Sequence, residues 1–357
     1  MNVHTLIVLG GGRPVPALLK IGWAQPETVV TLMPEGSSDK VAEQARKIYP
    51  RISVKAGPRL PLSEPQKAME AIRKIVAACP GPVVVSITGA PLPLSVAAIT
   101  VCRERGIPAL YLDTAAGRML DLAQMQLRDT SFFKPSVEQY LRACGLEPEP
   151  EPPAAPASHY KIAGLLGKGG LAAEKLLKQI KAFYNRTGPA PTMIPNLHDP
   201  GVQRLLVGGW LELYAEQCAR EVRDAQGQPV FTAVRNGVRF QHVDLAVREV
   251  DLIGLRSAAP LIASCKTFSR ISADEHPATG PTLSKNQRPW LDELKAVASA
   301  LGQEYCPSLL IHNARNVTDP FHQQARLLGI VVVGAQQLPE LGKILAKEML
   351  TPTYGRR

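Results

Sequence analysis

The chain has 357 residues, 45% hydrophobic and 20% charged, with 41 Lys+Arg against 31 Asp+Glu and a net charge of +10. Its length predicts two domains with separate cores, and its balance excludes a disordered or fibrous chain. Six cysteines without a CxxC pair and seven histidines without HxxxH or HExxH spacing argue against zinc fingers, zinc hydrolases and a disulfide scaffold.

No run of about 18 apolar residues exists to cross a bilayer, so a soluble cytoplasmic protein without membrane partners is expected. Residues 1–159 carry a net charge of +3 and residues 160–357 a net charge of +7. The basic excess therefore lies in the C-terminal half, where a polyanionic substrate would be handled.

From the N-terminus, short apolar β-branched runs at 4–12, 28–34, 83–88 and 109–114 alternate with helical periodicities such as 63–79 and 92–106. Ser63, with Gln66 three residues on, has the spacing of a capping box at the start of the first of these helices. Continuous apolar strands between helices predict a parallel sheet covered on both faces, a Rossmann-like α/β domain over residues 1–146.

Ligands of such sheets sit at the carboxyl ends of the strands. Those ends read GGGRPVP (10–16), PEGSSD (34–39), TGAP (88–91) and DTAAGR (113–118). They single out Gly11, Gly12, Arg13, Ser37, Ser38, Thr88, Gly89, Asp113 and Thr114. A dinucleotide fingerprint fails, because Val15 stands where GxGxxG needs its last glycine. Spacing alone leaves two readings open: ordinary βα turns, the commoner case, or ligand loops.

A helix around 136–145 stops at Gly145. The Pro/Glu/Ala run over 147–160 then predicts a linker that neither continues a helix nor pairs as a strand. Helical periodicity resumes over 161–188, read as a small bridge. The remainder to residue 357 alternates helix and strand, predicting a second α/β domain over 161–357.

Its chemistry concentrates in EVDLIGLRSAAPLIASCKT (249–267), which reads as two strands and a tight turn. Residues two apart on a strand share a face, so Glu249 projects with Asp251, and Ser264 with Lys266, while Cys265 turns the other way. If the strands pair, two acids face a hydroxyl and an ammonium. Carboxylates of this kind hold Mg²⁺ or Mn²⁺, and a nearby cation stabilises charge developing on a phosphodiester.

On the upstream helix, Glu212 and Glu216 are four apart and share a face. His242 and Asp244 read as surface or satisfied groups. His312 and Asn313 read as a loop cap or a polar pair near substrate. The polar segment 269–289, with Lys285 and Arg288, reads as a surface loop or as a flap over nucleic acid.

The order of the N-terminal elements, with Gly11-Gly12, Ser37-Ser38, SITG (86–89) and LYLDT (110–114), resembles a CRISPR-associated Rossmann-fold (CARF) sensor domain. Over nearly its full length the chain resembles CARF proteins whose C-terminal half is a restriction-endonuclease-like PD-(D/E)xK domain. That resemblance implies a homodimer that binds cyclic tetra-adenylate or hexa-adenylate across its two-fold axis. Thr88 and Gly89 match the first two positions of the family's TGGTK-like ligand loop, and Ala90-Pro91-Leu92 replace the last three.

It further implies that Asp251 is the metal-binding aspartate, Lys266 the catalytic lysine and Glu212 the helix glutamate behind the metal. Ser264 stands where the family's ECK motif has its glutamate, leaving Glu249 or Glu212 to fill the vacated position. The implied activity is a cyclic oligoadenylate-activated, Mg²⁺- or Mn²⁺-dependent endonuclease of type III CRISPR defence, cutting single-stranded or nicked nucleic acid. The alternative is a catalytically degenerate sensor or nucleic-acid-binding regulator with the same fold.

Overall fold

A computed structural model describes all residues except 1–2, 13, 114–117, 129–133, 169–170, 185–186, 190–193, 195–197, 243–244, 268–281, 284–286, 302–305, 315 and 352–357. The chain divides into two compact units, Met1–Glu147 with Ser257–Ala259, and Pro148–Arg256 with Pro260–Arg357. Each is an α/β structure.

The first unit begins β1 (Thr5–Leu9), α1 (Val15–Ala24), β2 (Thr28–Pro34), α2 (Lys40–Ile48), β3 (Ser53–Leu60) and α3 (Pro65–Ala78). It continues β4 (Val83–Ser86), α4 (Leu92–Arg105), β5 (Ala109–Asp113), β6 (Arg118–Asp121), β7 (Gln126–Arg128) and α5 (Val137–Ala143). Its strands lie in the order β3-β2-β1-β4-β5-β6-β7. Every residue of β1 and β4 is buried, as expected of central strands covered on both faces.

The sheet is parallel from β3 to β5, whereas β6 and β7 run antiparallel. That departs from the all-parallel expectation for a simple reason. Four residues separate β5 from β6, too few for the crossover that parallel pairing needs. β3 escapes the apolar pattern because it is an edge strand, mostly exposed, and carries Pro58, which only an edge tolerates.

The capping expectation is corrected as well. α3 begins at Pro65 with Glu64 at its N-cap position and no side-chain cap, since proline's fixed φ favours the first helical position. A capping box does form at α5, where Ser136 and Gln139 bond each other's backbone N–H.

β8 (Glu147–Pro148) spans the boundary, and the second unit continues with α6 (Ala157–Lys168), α7 (Leu171–Tyr184) and α8 (Pro200–Arg204), after which a π turn (Leu205–Gly209) leads into α9 (Trp210–Glu221). Then follow β9 (Ala233–His242), β10 (Leu245–Arg256), β11 (Ala259–Lys266), β12 (Thr282–Leu283), α10 (Arg288–Ala300) and β13 (Ser308–His312). The chain ends with β14 (Asn316–Val317), α11 (Asp319–Leu327), β15 (Ile330–Val333), a 3₁₀ turn (Ala335–Glu340) and α12 (Leu341–Leu350).

Six strands form the order β15-β13-β11-β10-β9-β8, and β12 pairs with β14 apart from them. β13 is parallel to both β11 and β15, and β10 is antiparallel to β9. The expectation that 147–160 cannot pair as a strand is overturned at its start. Pro148 offers no donor, but the Glu149 N–H donates to the Arg239 carbonyl at 2.8 Å, and an outermost strand tolerates the proline.

Behind the sheet, α6 lies on α9. The Tyr214 hydroxyl donates to the Leu338 carbonyl at 2.9 Å, and Gly167 faces its ring so closely that a Cβ would overlap it. Glu216 is buried here, accepting from the Tyr160 hydroxyl at 2.8 Å and from Arg220 at 2.7 Å. Gly167→Ala is expected to lower the stability of the second unit by about 1–3 kcal/mol through overpacking, read as an earlier urea midpoint with unchanged m-value.

Candidate active site and ligand loops

β10 and β11 are joined by the two-residue turn Ser257–Ala258, with Ser257 in the left-handed region at φ 54°. Counting back from that turn sets Asp251 across from Ser264 and Glu249 across from Lys266. The Asp251 Oδ2 accepts the Cys265 backbone N–H at 2.6 Å and the Ser264 hydroxyl at 3.1 Å. Lys266 Nζ stands 4.0 Å from the same oxygen. These bonds and the ion pair all reach Oδ2, so Oδ1 has no partner among the described residues.

A cavity of about 290 Å³ opens over this cluster, lined by Glu249, Asp251, Ser264 and Lys266 from the hairpin and by Trp290 and Glu293 from α10. Lys266 Nζ lies 6.0 Å from the Trp290 ring centroid, the outer reach of a cation–π contact. Glu249 lines the cavity while its Oε2 meets Arg239 Nε at 3.2 Å, the cross-strand pair set by register.

Glu212, in the first turn of α9, has its carboxyl pushed up to about 7, first by burial and then by the negative charges of Asp251 and Glu249, with Lys266 opposing. It therefore senses the cluster. Glu216 does not join it, being committed to Tyr160 and Arg220.

Among the described residues, no group of three His, Cys, Asp or Glu side chains forms a ready-made metal cage. The donor set nevertheless suits a hard dication. Among the described residues Oδ1 of Asp251 is open, and the charges of Asp251 and Glu249 reach Glu212. Mg²⁺ is typically held by one or two carboxylates with water and substrate phosphate completing its shell.

Sequence reasoning missed Glu293 and Trp290. Both lie on the stripe Trp290, Glu293, Leu294, Val297 that α10 turns toward the cavity, and a carboxylate inside an apolar i, i+3, i+4, i+7 stripe was the available signal. His242 ends β9, and Arg288 opens α10, paired with Asp292 at 3.4 Å. Arg13, Thr114, Asp244, Lys285 and most of 269–289 lie outside the described residues.

In the first unit, Gly12 and Gly89 bring the β1–α1 and β4–α4 loops into backbone contact. A Cβ on Gly12 would stand 2.7 Å from the Gly89 carbonyl oxygen. Gly11 has φ 128° and Gly89 φ 79°, conformations that favour glycine. Ser37 spends its hydroxyl on the Pro34 carbonyl at 2.9 Å, as a turn residue does, and Ser38 is exposed. Asp113 ends β5.

Beneath Thr88 lies a residue that the sequence reading passed over. Lys20 is 1% exposed, and its Nζ donates to Thr88 Oγ1 at 2.6 Å and to the Leu110 carbonyl at 3.3 Å. Thr88 Oγ1 also accepts the Leu112 N–H at 2.7 Å. Both acceptor directions of the hydroxyl are thus filled. Burial pulls the Lys20 ammonium down to about 7.

No protein-family model and no curated protein matches the chain. Solved structures do. Can2 from Sulfobacillus thermosulfidooxidans, in complex with cyclic tetra-adenylate, is 14% identical with a TM-score of 0.66 over 98% of this chain and 97% of its own. Protein VC1899 from Vibrio cholerae is 14% identical with a TM-score of 0.70 over 96% of this chain and 97% of its own. The chain shares their two-domain α/β fold.

A type III CRISPR defence DNA nuclease activated by cyclic oligoadenylate is 16% identical with a TM-score of 0.52, over 88% of this chain and 46% of its own. The resemblance drawn from the sequence thus holds at the level of the fold.

Between about pH 7 and 10.5 the folded Lys20 is neutral while the unfolded chain still carries its proton, so stability rises with pH across that window. Lys20→Met removes this dependence. Urea midpoints of the two proteins at pH 7 and at about pH 9.5 are expected to shift in favour of the wild type as pH rises; identical shifts would contradict the assignment.

Proposed function

We propose that the chain is a cyclic oligoadenylate-activated, metal-dependent nuclease of type III CRISPR defence, acting on single-stranded or nicked DNA or RNA. The observation that carries this reading is the convergence of Asp251, Ser264 and Lys266 on one cavity with Glu249 and Glu293. It is supported by a fold shared with Can2 in its cyclic tetra-adenylate complex and with a cyclic oligoadenylate-activated DNA nuclease.

In this reading Asp251, together with Glu249 or Glu212, would hold Mg²⁺ or Mn²⁺. When bound, the metal supplies positive charge to phosphoryl oxygens and acidity to water. The Cys265 N–H and Ser264 hydroxyl keep Asp251 aimed. Lys266 faces the phosphodiester and offsets the charge that develops on it. Glu212, raised to about 7 by burial and by the charges of Asp251 and Glu249, would favour its ionised form beside a bound cation.

The activator, cyclic tetra-adenylate or hexa-adenylate, is taken by Gly11, Gly12, Arg13, Ser37, Ser38, Thr88, Gly89, Asp113 and Thr114 at the strand ends. Lys20 supports Thr88 from beneath through its hydrogen bond to the hydroxyl. A homodimer forms through the apolar start of α4, where Leu92 and Val96 are 76% and 54% exposed. Activation follows because the ligand favours the active arrangement of the dimer. The cytoplasm suits this role and the six free cysteines.

One observation favours a second reading, a non-cleaving sensor or regulator: Ser264 is a neutral hydroxyl already spent on Asp251. Plasmid nicking and single-strand cleavage with Mn²⁺, with and without cyclic tetra-adenylate, separate the two. Ligand-dependent cleavage that falls at least about 100-fold in Asp251→Ala is the expected result. Nucleic acid retarded in a gel without cleavage, and cleavage gained in Ser264→Glu, would identify a dormant site instead.

A further inference from the structure

β11 and β13 run parallel, and Lys266 and His312, the last residue of each, are register partners. Adjacent strands lie about 4.8 Å apart. One strand over from the hairpin cluster, His312 lines a second cavity of about 200 Å³ with Val317, His322, Val332 and Gln337.

His312 is fully buried. Its Nδ1 accepts the Ala314 N–H at 3.1 Å, which places the proton of the neutral ring on Nε2. Burial, with His322 adding to it, pulls the imidazole down to about 4, so the ring is neutral at physiological pH. The Nε2–H has no acceptor among the described residues. A buried donor left unpaired is costly, and His312 is one of the residues that line the cavity.

The rest of the lining narrows the choice of ligand. Gln337 gives its side-chain carbonyl to the Gly334 N–H at 3.1 Å, which leaves its NH₂ as a second donor. Among the described residues no lysine or arginine lines this cavity, and Val317 and Val332 supply apolar wall. A phosphate would enter such a neutral, part-apolar space at high desolvation cost. A flat heterocycle with a hydrogen-bond acceptor on its edge matches it, because bases leave the stack to lie against apolar walls while their edges are read by hydrogen bonds.

We propose that this cavity is a base-recognition subsite for the nucleic-acid strand, in which His312 Nε2–H and the Gln337 amide donate to a carbonyl oxygen or ring nitrogen of one nucleobase near the cleaved phosphodiester. The proposal rests on the nuclease reading above and adds a sequence preference to it.

Two substitutions address the same nitrogen from opposite sides. His312→Leu deletes the donor. Gly334→Ala leaves it in place but adds a Cβ that would stand 3.4 Å from Cε1 and 3.7 Å from Nε2, an ordinary contact that occupies the approach to the ring. Fluorescence anisotropy of short single-stranded homopolymers of each base, in DNA and RNA, reads the preference. The thermal midpoint of each variant reports folding.

The wild type is expected to bind one or two homopolymers roughly fivefold more tightly than the others, the scale of one hydrogen bond. Both variants are expected to bind all of them alike. Equal binding by the wild type, or a preference retained in a folded Gly334→Ala protein, overturns the proposal. Mn²⁺-dependent cleavage by the wild type, lost in Asp251→Ala, is scored separately, so a failed base preference and a failed nuclease reading are told apart.

Discussion

The 2.6 Å bond from the Cys265 backbone N–H to Asp251 is the constraint on which the candidate active site depends. A hydrogen bond to an ionised carboxylate is among the stronger kinds, and this donor is main chain. The orientation of Asp251 therefore does not hang on which side chain occupies 264. With glutamate there, a second acceptor would face the cavity; with serine, the side chain becomes a donor and reinforces the hold on Asp251. The exchange alters the charge of the cleft more than its shape.

Charge also organises the surroundings. Burial first, and then the charges of Asp251 and Glu249, raise Glu212, and the cations that offset these acids differ in kind. Lys266 approaches Asp251 from the next strand, while Arg239 engages Glu249 from β9. The first unit handles its buried lysine differently, setting Lys20 against the Thr88 hydroxyl and the Leu110 carbonyl. Isolated burial shifts the proton affinity of Lys20, whereas mutual repulsion helps to shift that of Glu212.

Much of this was legible in the sequence because it follows from period and spacing. The central strands β1, β2, β4 and β5 announced themselves as continuous apolar runs, and the two-residue alternation put Asp251 with Glu249 and Ser264 with Lys266. What escaped notice lacked such a signature. β3 is a polar edge strand with a proline, and β8 is two residues long. Pro65 displaced a helix start that Ser63 and Gln66 had suggested. Lys20 sits in an otherwise apolar helix, where a single cation reads as surface. Glu293 and the His312 cavity depend on which elements come together in space, and a linear pattern does not carry that information.

Arg239 holds one further consequence. Its guanidinium reaches Glu249 at 3.2 Å and Glu149 at 3.7 Å, and Glu149 is stitched to β9 through its own N–H and through its carbonyl to Arg235 at 3.1 Å. One guanidinium serving two acids divides its grip between them. Glu149 is the second residue past the boundary of the first unit, so the covalent thread leaving that unit ends a single ion pair short of the acidic rim of the cleft. Without the Glu149 carboxylate, the Arg239 guanidinium would be left to Glu249 alone.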